Sequence, residues 1–215
     1  MQKYLIFNNI TQNDINKMFE MGCIRKQKFA KNTVILSAGN ITKEIGIIKS
    51  GSVNIEKIDI WGNKSILSNF SAGHTIAEAY AITNEIMMVD VVAAENSELI
   101  FLNVQALLSK NNSKYRWYTH ILENLIKLSS EKNLVLANRI FCITPKNVRS
   151  RLLTYLNEQR IIHNSNEFDI PFNRQQMAEY LNLDRSALSK ELSNMQSEGL
   201  LNYKKNHFTL YVNKN

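Results

Sequence analysis

Cysteine, proline and long apolar runs are scarce in this chain, and each scarcity excludes a class of protein. Only Cys23 and Cys142 occur, far apart and outside any CxxC or Cys/His cluster. One chain therefore cannot build a tetrahedral zinc site or a four-thiolate iron–sulfur cluster. Both cysteines are read as reduced, buried thiols. No run approaches the roughly 18–20 apolar residues that a membrane span needs. The opening MQKYLIFNNI is too short in apolar residues for a secretory signal, so a cytoplasmic protein with no membrane partner is expected. From Ser113 to Ile140 there is neither glycine nor proline, and nothing there interrupts a helix.

What is present is a chain of 215 residues with 44% hydrophobic content, enough for two modest domains with packed cores. A formal charge of +7 suits a polyanionic partner, although it speaks to non-specific attraction and not to fold. The excess is spread evenly. From Thr144 onward there are 10 Lys/Arg against 7 Asp/Glu, and before it 16 against 12. Charge alone singles out neither half.

Between Lys28 and about Asn103 short apolar or alternating runs are separated by turns: TVIL, SAGN, EIGIIKSGSVNIEKIDI, WGNKSILSNF, SAGHTIAEAY and MMVDVVAAENSELIFLN. Short strands at this spacing predict an antiparallel barrel or sandwich. Beyond Ser113, Tyr118, Ile121, Leu125, Leu128 and Val135 follow a 3-4-3-7 progression that fits an a/d seam, interrupted at Lys132. Such a helix measures roughly 40 Å, more than one small domain can cover. A partner helix from a second copy is expected to cover it, in a two-fold homodimer. The aromatics of KYRWYTH recur at helical core spacing, which favours packing over a nucleic-acid strip. Thr144 and Pro145 resemble N-cap and N1 of the next helix, which makes Cys142 to Thr144 a candidate hinge. NEFDIPF reads as a short edge strand.

FNRQQMAEYLNLDRSALSKEL then places two amphipathic patterns around a short break. The first runs from about Arg174 to Tyr180, with Met177, Ala178 and Leu181 inward. Asn182 stands where the turn needs a left-handed residue, and Asp184 caps the second helix. At 100° per residue, Leu188, Leu192 and Met195 share one arc. Ser186, Ser189, Lys190 and Ser193 point away from it, with Arg185 in the first turn. A face of hydroxyls and long cations, free of bulky apolar groups, is shaped for the major groove of double-stranded DNA. EGLLNYKKNHFTLYV adds a strand, a Lys-Asn turn and a strand. Together these make a winged helix-turn-helix with a basic wing tip at Lys204 and Lys205. Arg174 and Gln175, at the start of the first helix, complete the expected DNA-binding set.

With these parts in this order, the whole chain resembles the Crp/Fnr family of bacterial transcription regulators. The resemblance rests on SAGN and IIKSGSVNI in the barrel, AGHTIAEAYAI at the family's phosphate-binding cassette, and RQQMAEYLNLDRSALSKEL at its helix-turn-helix. It implies an α+β chain in three parts: a cyclic-nucleotide-binding-type β-roll (jelly roll) over 1–112, a dimerisation helix and hinge over 113–143, and a winged-helix DNA-binding domain over 144–215. It also implies a homodimer on a palindromic operator, with RNA polymerase as a further partner. Arg185, Ser189 and Lys190 match the family's base-reading or phosphate-contacting positions. Ser186 stands where well-known members carry a glutamate, so altered inner operator bases are expected.

In members that bind cyclic AMP, the cassette glutamate holds the ribose and an arginine about ten residues on pairs with the phosphate. Glu78 matches the glutamate, but the arginine position falls on Met87 or Met88, and no arginine occurs between Arg25 and Arg116. Lys43, Lys49, Lys57 and Lys64 are outside the cassette, and a lysine lacks the bidentate fork that matches a phosphate. A buried phosphate without its partner is strongly disfavoured, so cyclic-nucleotide sensing is not expected. The candidate effector pocket, His74, Glu78, Ala79, Met87 and Met88, is apolar over EIMMVDVV. That suits a hydrophobic, aromatic or haem-like effector, or a ligand-free barrel in a constitutive regulator, and no cofactor is assigned. A cupin-like metal enzyme would need another histidine near His74 and Glu78, whereas His120, His163 and His207 all lie outside the barrel. No catalytic role and no metal ligand is expected.

Overall fold

The computed structural model describes residues 4–211. The chain divides into two compact units, residues 1–130 and 131–215, and the division falls inside one long helix.

The first unit opens with a 3-10 turn (Leu5–Phe7) and α1 (Gln12–Glu20), whose N-cap Thr11 accepts from the Asp14 amide. Eight strands follow: β1 (Ile24–Phe29), β2 (Val34–Leu36), β3 (Glu44–Ser50), β4 (Ser52–Ile58), β5 (Lys64–Ser71), β6 (Thr75–Ile76), β7 (Asp90–Ala93) and β8 (Ser97–Asn103). The short α2 (Glu78–Thr83) separates β6 from β7, and α3 (Val104–Leu107) follows β8. All pairings are antiparallel, in two sheets ordered β1-β8-β3-β6 and β2-β7-β4-β5. This is the expected β-roll.

β8 explains why its sequence SELIFLN is apolar almost throughout instead of alternating. Successive side chains point to opposite faces of a strand. Leu99 and Phe101 enter the core that contains Ile48, Val53, Ile76, Met87 and Val91. Ile100 and Leu102 enter a second core with α1, Ile45 and Ile47. A strand covered on both faces reads as a continuous apolar run. Two glycines are fixed by this packing. A Cβ on Gly46 of β3 would sit 2.7 Å from Cγ1 of Ile76, and Gly51, between β3 and β4, has φ +81° with the Asn96 carbonyl 2.7 Å from where its Cβ would lie.

α4 (Arg116–Ile143) is a single helix of 28 residues, as its freedom from glycine and proline predicts. Its packing corrects the expected seam. Ile121 and Leu125 belong to the core of the first unit with Trp117, and Tyr118 packs against it. Leu128 is also buried. These side chains are covered by their own chain because the β-roll occupies that face of the helix. Val135 is 62% exposed, and further exposed apolar residues, Ile126, Leu134, Leu136, Ile140 and Phe141, stand elsewhere on α4.

In the second unit α5 (Val148–His163) follows, capped by Asn147, whose side chain accepts from the Ser150 amide. The expectation for Thr144 is corrected: its hydroxyl donates to the Ile140 carbonyl, so it closes α4 and does not open α5. Cys142 and Ile143 are still helical and Cys142 is buried, which moves the break to residues 144–147. β9 (Glu167–Asp169), α6 (Arg174–Tyr180), α7 (Arg185–Ser197), β10 (Leu201–Lys204) and β11 (His207–Leu210) complete the unit. Its sheet has the order β10-β11-β9, so β9 is the expected edge strand. Val212, included in the expected second wing strand, lies outside the described residues. Leu152, Tyr155, Leu156, Met177, Leu181, Leu188, Leu192, Met195 and Phe208 form the core.

Candidate nucleic-acid interface

α6 begins with a capping box: Asn173 accepts from the Gln176 amide at 2.9 Å, and the Gln176 side chain accepts from the Asn173 amide at 2.9 Å. Ala178 is fully buried where α6 meets α7. Asn182 takes φ +51° in the turn, a conformation asparagine tolerates better than most residues. The Asp184 carboxylate accepts from the Ser186 hydroxyl and from the amides of Ala187 and Ser186 at 3.0 and 2.8 Å, and these bonds, the hydroxyl's first, lower its pKa below the ordinary range. Two arginines lock this geometry from α5. Arg151 donates to the carbonyls of Leu181 and Asn182 at 3.2 and 2.9 Å, and Arg149 bridges Glu191 and Glu198 of the α7 region.

That arrangement sorts the charges. Glu191 and Glu198 are matched by Arg149, while Arg185 and Lys190 are exposed and make no side-chain hydrogen bond or ion pair among the described residues. Leu188, Leu192 and Met195 face the core, and Ser186 and Ser193 are exposed with Ser189 half-buried. The Ser186 hydroxyl donates to Asp184 at 2.5 Å and the Ser193 hydroxyl to the Ser189 carbonyl at 3.1 Å. The Ser186 hydroxyl therefore presents acceptor lone pairs outward more readily than a donor, whereas the Ser193 oxygen also lies 3.4 Å from the Tyr203 hydroxyl.

The wing meets this face. Lys204 and Lys205 are exposed at the hairpin, with Lys205 at φ +54°. The Arg174 guanidinium stacks on Tyr203 and Phe208, with centroids 4.8 and 5.1 Å away, and donates to the Lys205 carbonyl at 2.6 Å. Burial pulls its pKa down. Gln175 is exposed and donates to Glu179 at 2.8 Å. Phe172, Asn173, Arg174, Gln175, Arg185 and Lys205 line part of a concavity of about 710 Å³ at the junction of α6, α7 and the wing. Such a basic, open recess beside a convex helix face suits a phosphodiester backbone running past a groove.

The cassette side is less chemical. Glu78 sits in the first turn of α2 after Ala77, a non-glycine residue at φ +60°. His74 is exposed, its Nδ1 3.0 Å from the Ser71 carbonyl and its ring beside Phe70. Ala79 is exposed. Met87 is fully packed in the β-roll core, whereas Met88 is 66% exposed. Of the four lysines considered for a phosphate, Lys49 is bound to Glu98 at 2.8 Å and Lys64 to the buried Glu56. Among the described residues, no group of three or more His, Cys, Asp or Glu side chains could hold a metal ion, and no helix is long and apolar enough to cross a membrane.

A β-roll, a long helix and a winged helix-turn-helix with an unpaired basic outer face define a DNA-binding transcription regulator. Residues 26–112 match the family model of the cyclic nucleotide-binding domain and residues 150–212 that of the Crp-like helix-turn-helix domain. The chain belongs to the Crp/Fnr family. Among solved structures, CprK complexed with OCPA shares 17% identity over 91% of this chain and 89% of that one, with a TM-score of 0.61. The c-di-GMP-responsive global regulator CLP of Xanthomonas campestris shares 18% over 92% and 99%, with a TM-score of 0.51. A cyclic nucleotide-binding domain from Methylobacillus flagellatus KT shares 18% over 68% and 85%, with a TM-score of 0.53. At these identities the likeness is one of fold. Comparison with curated protein sequences returns no match.

Proposed function

We propose that the protein is a homodimeric regulator that reads a palindromic operator in the cytoplasm, controlled by an effector other than a cyclic nucleotide, and that it has no catalytic activity. The observation that carries the DNA reading is the outer face of α7, where Arg185 and Lys190 are exposed and, among the described residues, unpaired, while Glu191 and Glu198 are matched by Arg149 and Asp184 caps the helix. Two such helices about 34 Å apart would enter successive major grooves on one side of a duplex. An effector would act by changing that spacing through the break at residues 144–147.

The effector reading rests on charge. Segment 26–115 holds no arginine, and Lys49 and Lys64 already have carboxylate partners. A constitutive regulator with a ligand-free β-roll is the second reading, favoured by Met87, which fills core space between Ile48, Val53 and Val91.

Selection of random-sequence duplexes by the purified protein, without added effector and at two salt concentrations, tests the function. An enriched two-fold symmetric site supports it. Salt-sensitive, sequence-blind retention that no metabolite extract converts into a site would refute it. Calorimetric titration with cyclic AMP should give no heat of binding.

A further inference from the structure

The C-terminal end of α4 is tied into the second unit at two points, Arg139 and Cys142, and residues three apart share one side of a helix. Cys142 is fully buried in the core that holds Tyr155, Leu188 and Phe208, and its thiol donates to Glu158 Oε2 of α5 at 3.4 Å. Burial, and after it the bond to Glu158, push that thiol up to about 12, so it stays an S–H donor. Arg139 is exposed and reaches α6. Its Nε donates to the Tyr180 carbonyl at 3.1 Å, its Nη2 donates to the Glu179 carbonyl at 3.3 Å, and its guanidinium lies 5.7 Å from the Tyr180 ring centroid.

A buried point and an exposed point together fix an angle. Cys142 alone is a pivot, and Arg139 stops rotation about it. The acceptors belong to the C-terminal end of a helix, where carbonyls lack intrahelical partners and the macrodipole favours a cation. Arg151 of α5 holds the next two carbonyls, Leu181 and Asn182, and also that of Pro145 inside the break at 144–147. The end of α6 and the turn into α7 therefore hang from two guanidinium groups. Arg151 comes from the same side of the break as the motif it holds. Arg139 comes from the other side, so its two bonds last only while α4 and α6 keep their present angle. Two adjacent carbonyls need two donors in a fixed fork, which a lysine lacks. Because Arg139 is exposed, water can replace its partners, and the tie can open without stranding a buried charge.

We propose that Arg139 is a positioning residue for DNA reading: a strap that sets the angle between the end of α4 and the helix-turn-helix, and with it the half-site spacing the protein accepts. The spacing part deepens the operator reading above and rests on it. With the strap closed, each reading motif has one orientation. One base pair more or less between half-sites then misplaces a half-site by about 3.4 Å along the duplex and about 35° around it. With the strap open, rotation about Cys142 absorbs that displacement.

Pulsed electron double-resonance distances and operator binding test this on the full chain. Spin labels at Val135→Cys on α4 and Ser197→Cys on α7, both exposed positions, should give one narrow distance distribution when labelled chain is diluted with unlabelled chain. The buried Cys23 and Cys142 stay unlabelled. Arg139→Ala should at least double the width of that distribution, and Arg139→Lys should not restore it. An unchanged width in Arg139→Ala overturns the strap, and a lysine variant as narrow as wild type overturns the need for the fork. On a selected operator, wild type should lose at least tenfold in affinity when one base pair is added or removed between half-sites. Arg139→Ala should lose no more than threefold, at an unchanged melting temperature. A merely structural role would lower the melting temperature and weaken all three operators alike, and that result overturns the positioning role. Failure of wild type to select any two-fold site would refute the operator reading, while the label distances still decide the strap.

Discussion

The guanidinium of Arg174 lies over the ring of Tyr203, 4.8 Å from its centroid, and so joins the first turn of α6 to the wing. The same side chain donates to the Lys205 carbonyl at 2.6 Å, at the tip of the hairpin. A residue that sequence position assigns to DNA thus also ties the first helix of the motif to the wing, while still lining the basic recess beside α7. Stacked cations contribute about 0.5–2 kcal/mol depending on burial, and the buried, unpaired Nη1 offsets part of that.

Arg174→Ala is therefore expected to lower unfolding stability by about 1 kcal/mol and to weaken binding to every duplex. Arg174→Lys should fail to restore either, because an ammonium has no plane to stack. Urea unfolding and fluorescence anisotropy on specific and non-specific duplexes read both quantities. A lysine variant that behaves as wild type would mean the charge alone matters.

Lys190 and Arg149 are both cations of the second unit, yet they should separate by assay. Lys190→Ala removes an exposed, unpaired side chain, so the melting temperature should hold while operator affinity falls by about 1–3 kcal/mol at particular base positions. Arg149→Ala strands Glu191 and Glu198, so the melting temperature should drop and DNA binding should fall only as the fold does. A Lys190 variant with unchanged operator affinity would remove it from the reading face.

The two arginines of α5 show why part of the site was illegible in sequence. Nothing local separates Arg149 from Arg185; the distinction lies in carboxylates 42 and 49 positions away. The helix-turn-helix was legible because its determinants are local: a left-handed asparagine, a capping aspartate and leucines on one arc. β1 was missed because IRKQKF is an edge strand with only Ile24 fully buried, so it lacks alternation. α4 misled in another way. Apolar residues stand on several sides of it, and which side the β-roll takes is a property of packing, not of spacing. The Thr144-Pro145 pair lost to Asn147 for a related reason, since two good capping residues stood three positions apart.

Gly51 tests the β-roll. Its positive φ is costly for any side chain, and a Cβ there would collide with the Asn96 carbonyl and the Ser97 hydroxyl. That hydroxyl is buried and engaged, accepting from the Ser52 amide at 3.2 Å and sharing its one proton between the Glu95 and Ser52 carbonyls at 2.8 and 3.0 Å. Gly51→Ala should destabilise the first unit by roughly 2–4 kcal/mol. Limited proteolysis should then cut within residues 1–130 first.

His207 gives the wing a pH dependence whose sign can be stated. Its Nε2 is 3.0 Å from Glu167 Oε1 and its Nδ1 3.1 Å from Asp169 Oδ1, both on β9, while Lys204 is its cross-strand partner on β10. Only the imidazolium can donate to both carboxylates at once. The bonds to Glu167 and then to Asp169 raise its pKa above the ordinary value near 6.5. Lys204 opposes the shift, but it is exposed and its charge is screened. A pKa raised by folding means the protonated form stabilises the native state. That contribution is complete below about pH 6.5 and is lost as pH rises through the raised value. The β9–β11 pairing should therefore exchange its amides faster, relative to the intrinsic rate, on the alkaline side of that window. His207→Gln keeps hydrogen-bonding capacity without the titration and should flatten the profile, whereas a slope unchanged in that variant would place the pH dependence in some other group.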